Sequence, residues 1–214
     1  MDKLINLSLE NYLENAKTKE PYPGGGSVAA YVGAVGTALS IMVLNLSYDK
    51  KSYKEVDESI KTKLEDLKAS FDKDIELLKK YVDEDASSFG GVLDALKLPK
   101  ETEEEKKIRS EKIQDGYKYA LEVPLGTART LNNILNNLDL FVKYGTVSAI
   151  TDVGCSILFV SSAIEAALFN VTINLKSLKD EDFRSKVEKE THDLIENAHR
   201  LRDKYLEETY NRLK

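Results

Sequence analysis

Between residues 56 and 96 the apolar side chains fall at Val56, Ile60, Leu64, Leu67, Phe71, Ile75, Leu78, Val82, Phe89, Leu93 and Leu96. Steps of three and four return to one face of an α-helix and rule out the two-residue alternation of a strand. The same period runs through almost the whole chain, and alternating runs bounded by turns are nearly absent. The expected fold class is therefore all-α, a single multi-helix bundle of six or seven helices. No composition shift marks a domain boundary and no internal repeat is present, so residues 1–214 are expected to form one domain. That length is enough to bury a substantial core, and only 15 residues are Gly or Pro, which leaves little room for linkers.

The segments read as follows. Leu9, Tyr12, Leu13 and Ala16 form a short first stripe behind a Ser8 N-cap. The chain breaks at "KTKEPYPGGG", and a second helix is predicted over 27–47. The long stripe then continues to Leu96 and ends at Pro99. Thr102 and Glu105 make a capping box for the next helix, Ile108 through Leu138. Pro124 should kink that helix or break it in two, and Gly145 should stop it. A further helix carries only two acids, Asp152 and Glu165, with Thr151 or Asp152 as its N-cap; Asn170 and Asn174 lie four apart on one of its faces. The last helix shows Phe183, Val187, Leu194, Ala198, Leu201 and Tyr205 under a charged surface.

Charge narrows the function classes. The net charge is −6, and the basic residues are interleaved with acids, as in "EEEKKIRSEK". A nucleic-acid partner is not expected, because such binders show a basic stripe. The single cysteine, Cys155, excludes an internal disulfide; its neighbours Val153, Ile157 and Leu158 predict a buried, inert thiol. "MDKLINLSLEN" lacks the apolar core of a signal peptide, so a cytoplasmic location is expected. No charge occurs from Pro21 to Tyr48, long enough to raise a membrane span. Five hydroxyl or amide side chains, two glycines and the lack of a comparable charge-free partner argue instead for the centre of a bundle, with no membrane partner.

Two features carry chemistry. The first is Pro21-Tyr-Pro-Gly-Gly-Gly-Ser27. It formally matches a dinucleotide fingerprint, but no strand precedes it, and no Gly-Lys-Ser/Thr follows to make a phosphate loop. It is either a tight turn with Ser27 as N-cap or a glycine-rich helix opening whose free N–H groups hold a ligand. The second is Asp85, in the seven-residue step of the stripe, three beyond Val82 and four before Phe89. It points where the apolar residues point, while Asp83 and Glu84 turn away. A carboxylate there is costly to ionise unless it is paired or hydrogen-bonded. It is either a core acceptor or a general acid–base group with a raised pKa. His192 and His199 lie on the charged last helix; one Glu196-x-x-His199 pair without a second excludes a di-iron site, and no metal is expected. No Ser-His-Asp or Cys-His set can be assembled.

"PYPGGGSVAAYVGAVGTALSIMV", "VDEDASSF", "ALKLPKETEEEK", "VPL", "TDVG" and "NVTINL", in this order and spacing, resemble the cyclodeaminase/cyclohydrolase family. That family comprises the C-terminal domain of formimidoyltransferase-cyclodeaminase and the stand-alone methenyltetrahydrofolate cyclohydrolases. The similarity covers nearly the whole chain and implies a homodimeric helical bundle acting on a tetrahydrofolate derivative, without a metal. It implies that formiminotetrahydrofolate closes to methenyltetrahydrofolate with loss of ammonia. The alternatives are hydrolysis of the methenyl compound to formyltetrahydrofolate and a folate-binding scaffold without catalysis.

The family's catalytic aspartate falls on Asp85, and its folate-contacting loop on Gly24, Gly25, Gly26 and Ser27. The N–H groups of Gly25 to Ser27 are expected to hold the pterin end or a carboxylate. Lys97, Lys100 and Arg109 are candidates to meet the anionic glutamate tail, and Asp152 either orients the ligand or caps a helix. Thr146 stands where relatives often carry Asn, which puts any ligand contact made there in doubt. No segment resembles the transferase domain, so folate would come from a separate formimidoyltransferase or the chain would act alone.

Overall fold

The computed structural model describes residues 3–19 and 23–214. Pro21 and Tyr22, the first two residues of the expected rigid Pro-x-Pro, lie outside the described residues. Nine α-helices occur among those described, and no strand: α1 Leu9–Ala16, α2 Gly25–Ser47, α3 Lys51–Lys54, α4 Glu58–Ser88, α5 Gly90–Leu96, α6 Glu103–Asn136, α7 Asp139–Tyr144, α8 Ile150–Leu175 and α9 Glu181–Arg212. The all-α bundle expected from the apolar period is the observed fold.

The helix starts follow local chemistry. Ser8 accepts the N–H of Asn11, Asp57 that of Ser59 and Asp180 that of Phe183. Thr102 and Glu105 form the reciprocal capping box. Such side-chain caps each contribute about 0.5–2 kcal/mol. The expected cap of α8 is corrected: Ala149 is its N-cap with no side-chain bond, and Asp152 sits inside the first turn, where its charge complements the helix dipole.

α2 and α8 pack against each other at the centre, between α4 and α6 on their flanks and α9 behind α8. Gly36 permits the close approach, since a side chain there would press on Phe159, Val160 and the Ser156 carbonyl. Ser40 and Ser156 share a hydrogen bond of 2.6 Å across the contact. Both central helices are long and apolar enough to cross a membrane by length and composition, and just over half of each apolar window is buried inside the bundle. The charge-free segment packs on α8, which is comparably long and apolar but carries Asp152 and Glu165. Phe71, Leu78, Leu121, Leu131, Phe141 and Leu168 fill the core with almost no exposure, and each such burial contributes about 1.5–3 kcal/mol.

Three expectations are revised. The stripe of residues 56–96 is not one helix: α4 ends at Ser88 and α5 begins at Gly90. Beyond the break Val92 and Ala95 face inward, while Phe89, Leu93 and Leu96 are exposed. Pro124 neither breaks nor divides α6, which runs through it. Cys155 is exposed, not buried, because α8 is apolar around its circumference and turns Cys155, Leu158 and Phe159 outward.

Candidate active site

α2 begins at Gly24, an N-cap with no side chain to offer. The cap comes from another helix. Asp85 Oδ2, three residues from the end of α4, accepts the backbone N–H of Ser27 at 2.8 Å. Helix ends leave such N–H groups without intrahelical partners, and a carboxylate is the best acceptor for them. Ser27 is thus the third helical residue, not the N-cap, and its hydroxyl donates to the Val82 carbonyl at 2.8 Å. That bond uses its one proton, so the 3.0 Å contact with Tyr12 is donated by the phenol. Tyr12 is buried on α1, and burial raises its pKa, keeping the hydroxyl protonated.

Gly26 explains why the turn is glycine-rich. A Cβ at this position would overlap the Asp85 carboxylate. The carboxyl occupies the space that a side chain at Gly26 would need. Burial pushes the Asp85 pKa above its ordinary value, and the Ser27 N–H opposes this only in part. Oδ2 is committed to Ser27; no described residue donates to Oδ1.

A cavity of about 460 Å³ opens beside this carboxylate, within the range of small-molecule sites. Gly24 and Gly25 of α2, Asp85 to Ser88 of α4, and Phe89, Gly90 and Leu93 at the α4–α5 break form one side. Ala120 of α6 and Asn170, Ile173 and Asn174 of α8 form the other. The break between α4 and α5 swings Phe89 and Leu93 off the buried stripe, which makes them a wall of this opening.

The structure thus brings Asp85, Gly24, Gly25, Gly26 and Ser27 together. The N–H of Ser27 is not available to a ligand, because Asp85 takes it. Lys97 is one turn beyond Leu93, exposed and paired with Asp94 at 2.9 Å. Arg109 donates to the Leu96 carbonyl at 3.2 Å, tying α6 to the end of α5. Lys100 is exposed on the turn between those helices. None of the three lines the cavity. Asp152 is eighteen residues before Asn170 on α8, about 27 Å along the axis, and does not reach this cavity. Thr146 is buried near the end of α2, its N–H bonded to Ser47 Oγ at 2.8 Å. His199 contacts Glu165 at 3.2 Å rather than Glu196. Asn170, Asn174, Ser88 and Phe89 are among the lining residues that motif reading missed; the four-residue spacing of the two asparagines on a helix with few charges was the one signal, and it pointed only to that pair.

A carboxyl of raised pKa, half committed and half open, set in an enclosed wall at a helix N-terminus, is the equipment of an enzyme that moves protons. The family model described as formiminotransferase-cyclodeaminase matches residues 8–193, and the chain belongs to that family. Methenyltetrahydrofolate cyclohydrolase of Methylorubrum extorquens is 34% identical over 202 residues, covering 94% of this chain and 95% of its own. Formimidoyltransferase-cyclodeaminase of Gallus gallus is 32% identical over 195 residues, 91% of this chain but 35% of that protein. The chain therefore spans about a third of such bifunctional relatives. The crystal structure of formiminotetrahydrofolate cyclodeaminase from Thermotoga maritima superposes with a TM-score of 0.78 over 97% of this chain and 96% of that one, at 24% identity. That likeness confirms the fold.

Proposed function

We propose that this chain is a folate one-carbon enzyme that converts formiminotetrahydrofolate to methenyltetrahydrofolate with release of ammonia, using Asp85 as its proton carrier. The observation that carries the reading is the Asp85 carboxyl at the cavity wall, with one oxygen fixed by Ser27 and the other without a donor among the described residues. The N10 lone pair of the substrate attacks the amidinium carbon and forms the N10–C bond. Asp85 takes the N10 proton and returns it to the former imino nitrogen, now an amine. That C–N bond breaks, ammonia leaves, and the cationic methenyl bridge remains. The carbon is electrophilic from the start, so the steps above run on proton transfer alone.

The cyclohydrolase reaction is the second reading, favoured by the full-length similarity to the Methylorubrum enzyme. Water adds to the methenyl carbon and gives one proton to Asp85, which passes it to the departing ring nitrogen; the hydroxyl's remaining proton leaves to solvent as the C=O of formyltetrahydrofolate forms. Both reactions pass through a tetrahedral carbon between the same two nitrogens. Two assays separate them: ammonia release from formiminotetrahydrofolate, and hydrolysis of methenyltetrahydrofolate. The proposal expects the first to be the faster; hydrolysis alone would reassign the chain to the second reaction, and neither activity would leave a folate-binding scaffold.

Two further parts belong to this reading. The glutamate tail runs from the cavity along α5 toward Lys97 and Lys100, with Lys97 about 6 Å along the axis from Leu93. The protein acts as a homodimer through the adjoining outward faces of α2 and α8, where Val35, Met42, Leu46, Leu158, Phe159 and Phe169 are exposed. Large exposed apolar faces of this kind mark association surfaces. Sedimentation equilibrium should give twice the 24.0 kDa chain mass; a monomer at micromolar concentration would contradict this.

A further inference from the structure

We infer that Asn174 and Asn170 hold the reduced pterin ring by its N–H groups, and that Pro124 positions the first of these amides. The inference rests on the folate reading above. Proline has no N–H, so a proline inside a helix leaves the carbonyl four residues earlier without its bond and its ring pushes that carbonyl aside. In α6 the proline is Pro124 and the carbonyl is that of Ala120, which lines the cavity. Asn174 Nδ2 donates to this carbonyl from α8 at 3.3 Å. The residue that sequence reasoning expects to kink or break α6 leaves free an acceptor that a regular helix would have consumed.

One turn earlier, Asn170 Nδ2 donates to the Ala166 carbonyl at 2.9 Å. These bonds fix which end of each amide is nitrogen, and leave each Oδ1 as an acceptor beside one remaining Nδ2 proton. The two serines complete the pattern. Ser87 Oγ donates to the Glu84 carbonyl at 3.0 Å and Ser88 Oγ to the Asp85 carbonyl at 2.9 Å, which spends their protons and leaves lone pairs. With Asp85 Oδ1, the polar side chains of this cavity offer mainly acceptors.

Acceptor side chains of this kind favour a ligand edge rich in donors. The reduced pterin ring meets that demand with its ring N–H groups and its exocyclic amine, and the folate tail does not. The pterin therefore enters with its N–H edge toward α8 and presents the reacting nitrogens to Asp85, while the anionic tail leaves by α5.

The test uses the full-length protein, with tetrahydrofolate and tetrahydropterin, its fragment without the tail, as probes. Asn174→Ala should raise KM and the Kd of both probes by about tenfold, the worth of one lost hydrogen bond, with kcat within twofold of wild type. Asn170→Ala should act in the same direction without touching the α6–α8 contact, which covers the case in which Asn174→Ala folds poorly. Pro124→Ala restores a helix N–H to the Ala120 carbonyl; it should raise KM by about threefold while leaving Tm unchanged or higher. A folded Asn174→Ala protein with wild-type Kd, or one that loses kcat with KM unchanged, overturns the inference. So does weakened binding of tetrahydrofolate without weakened binding of tetrahydropterin. A wild-type protein that binds no folate overturns both this inference and the proposed function, whereas a working enzyme indifferent to all three substitutions overturns this inference alone.

Discussion

The two ends of α2 use their polar residues oppositely. At its C-terminal end Ser47 donates to the Val43 carbonyl at 2.7 Å and accepts the Thr146 N–H at 2.8 Å. Arg212 reaches in from α9 to the Gly145 carbonyl at 2.7 Å. The buried polar groups there are already bound to one another. At the N-terminal end, some 33 Å away along the axis, Gly24 has no side chain and the cap is borrowed from Asp85, one of whose oxygens stays open toward a cavity. Polar residues on an apolar helix are therefore not diagnostic by themselves; what separates a joint from a site is whether an acceptor or donor is left over beside a space.

The largest effect that would break this contrast is expected at Asp85. Asp85→Asn keeps an oxygen for the Ser27 N–H but cannot carry a proton, so kcat should fall about 10²–10⁴-fold with the fold intact. The sign of the stability change follows from the raised pKa. The folded state holds the proton more tightly than the unfolded one, so this group's contribution is fully present below the unfolded value and is lost as pH rises through the folded value. At neutral pH the ionised carboxyl weakens the fold, and Asp85→Asn should melt no lower than wild type; a lower Tm would show that the charge itself is the structural element.

Gly26→Ala comes next. The added methyl collides with the carboxylate, and a misplacement of about 1 Å at a reacting group costs on the order of 10²-fold in rate; kcat/KM measured on the folded variant checks it. The opposite end supplies the smallest kinetic effect. Ser47→Ala strands the buried Thr146 N–H and should lower stability by about 1–3 kcal/mol, read by urea unfolding, while kcat and KM stay at wild-type values. A kinetic defect there would mean that the two ends of α2 are not separate in function.

The helical class, the Ser8 and Thr102 caps and the inward direction of Asp85 were legible in the sequence because each depends on neighbours in the chain: a period of 3.6 and a cap three residues ahead. The meeting of Asp85 with Gly26 was less legible, since it depends on how α4 crosses α2. The stripe misled beyond Val82 because residue spacing alone does not show the break at Phe89 and Gly90. Pro124 was read by its usual local effect, while its consequence lies in Asn174, fifty residues later and on another helix. Cys155 was assigned inward from its apolar neighbours, but a central helix that is apolar all round gives no indication of which face is covered.

The central claim is that the open Asp85 oxygen performs the proton transfer, and the pH dependence of kcat/KM tests it most directly. Wild type should lose activity on the acid side through an ionisation above the ordinary aspartate value of 3.8, and the residual activity of Asp85→Asn should lack that limb. An identical acid limb in both proteins would assign the proton to another group and contradict the account.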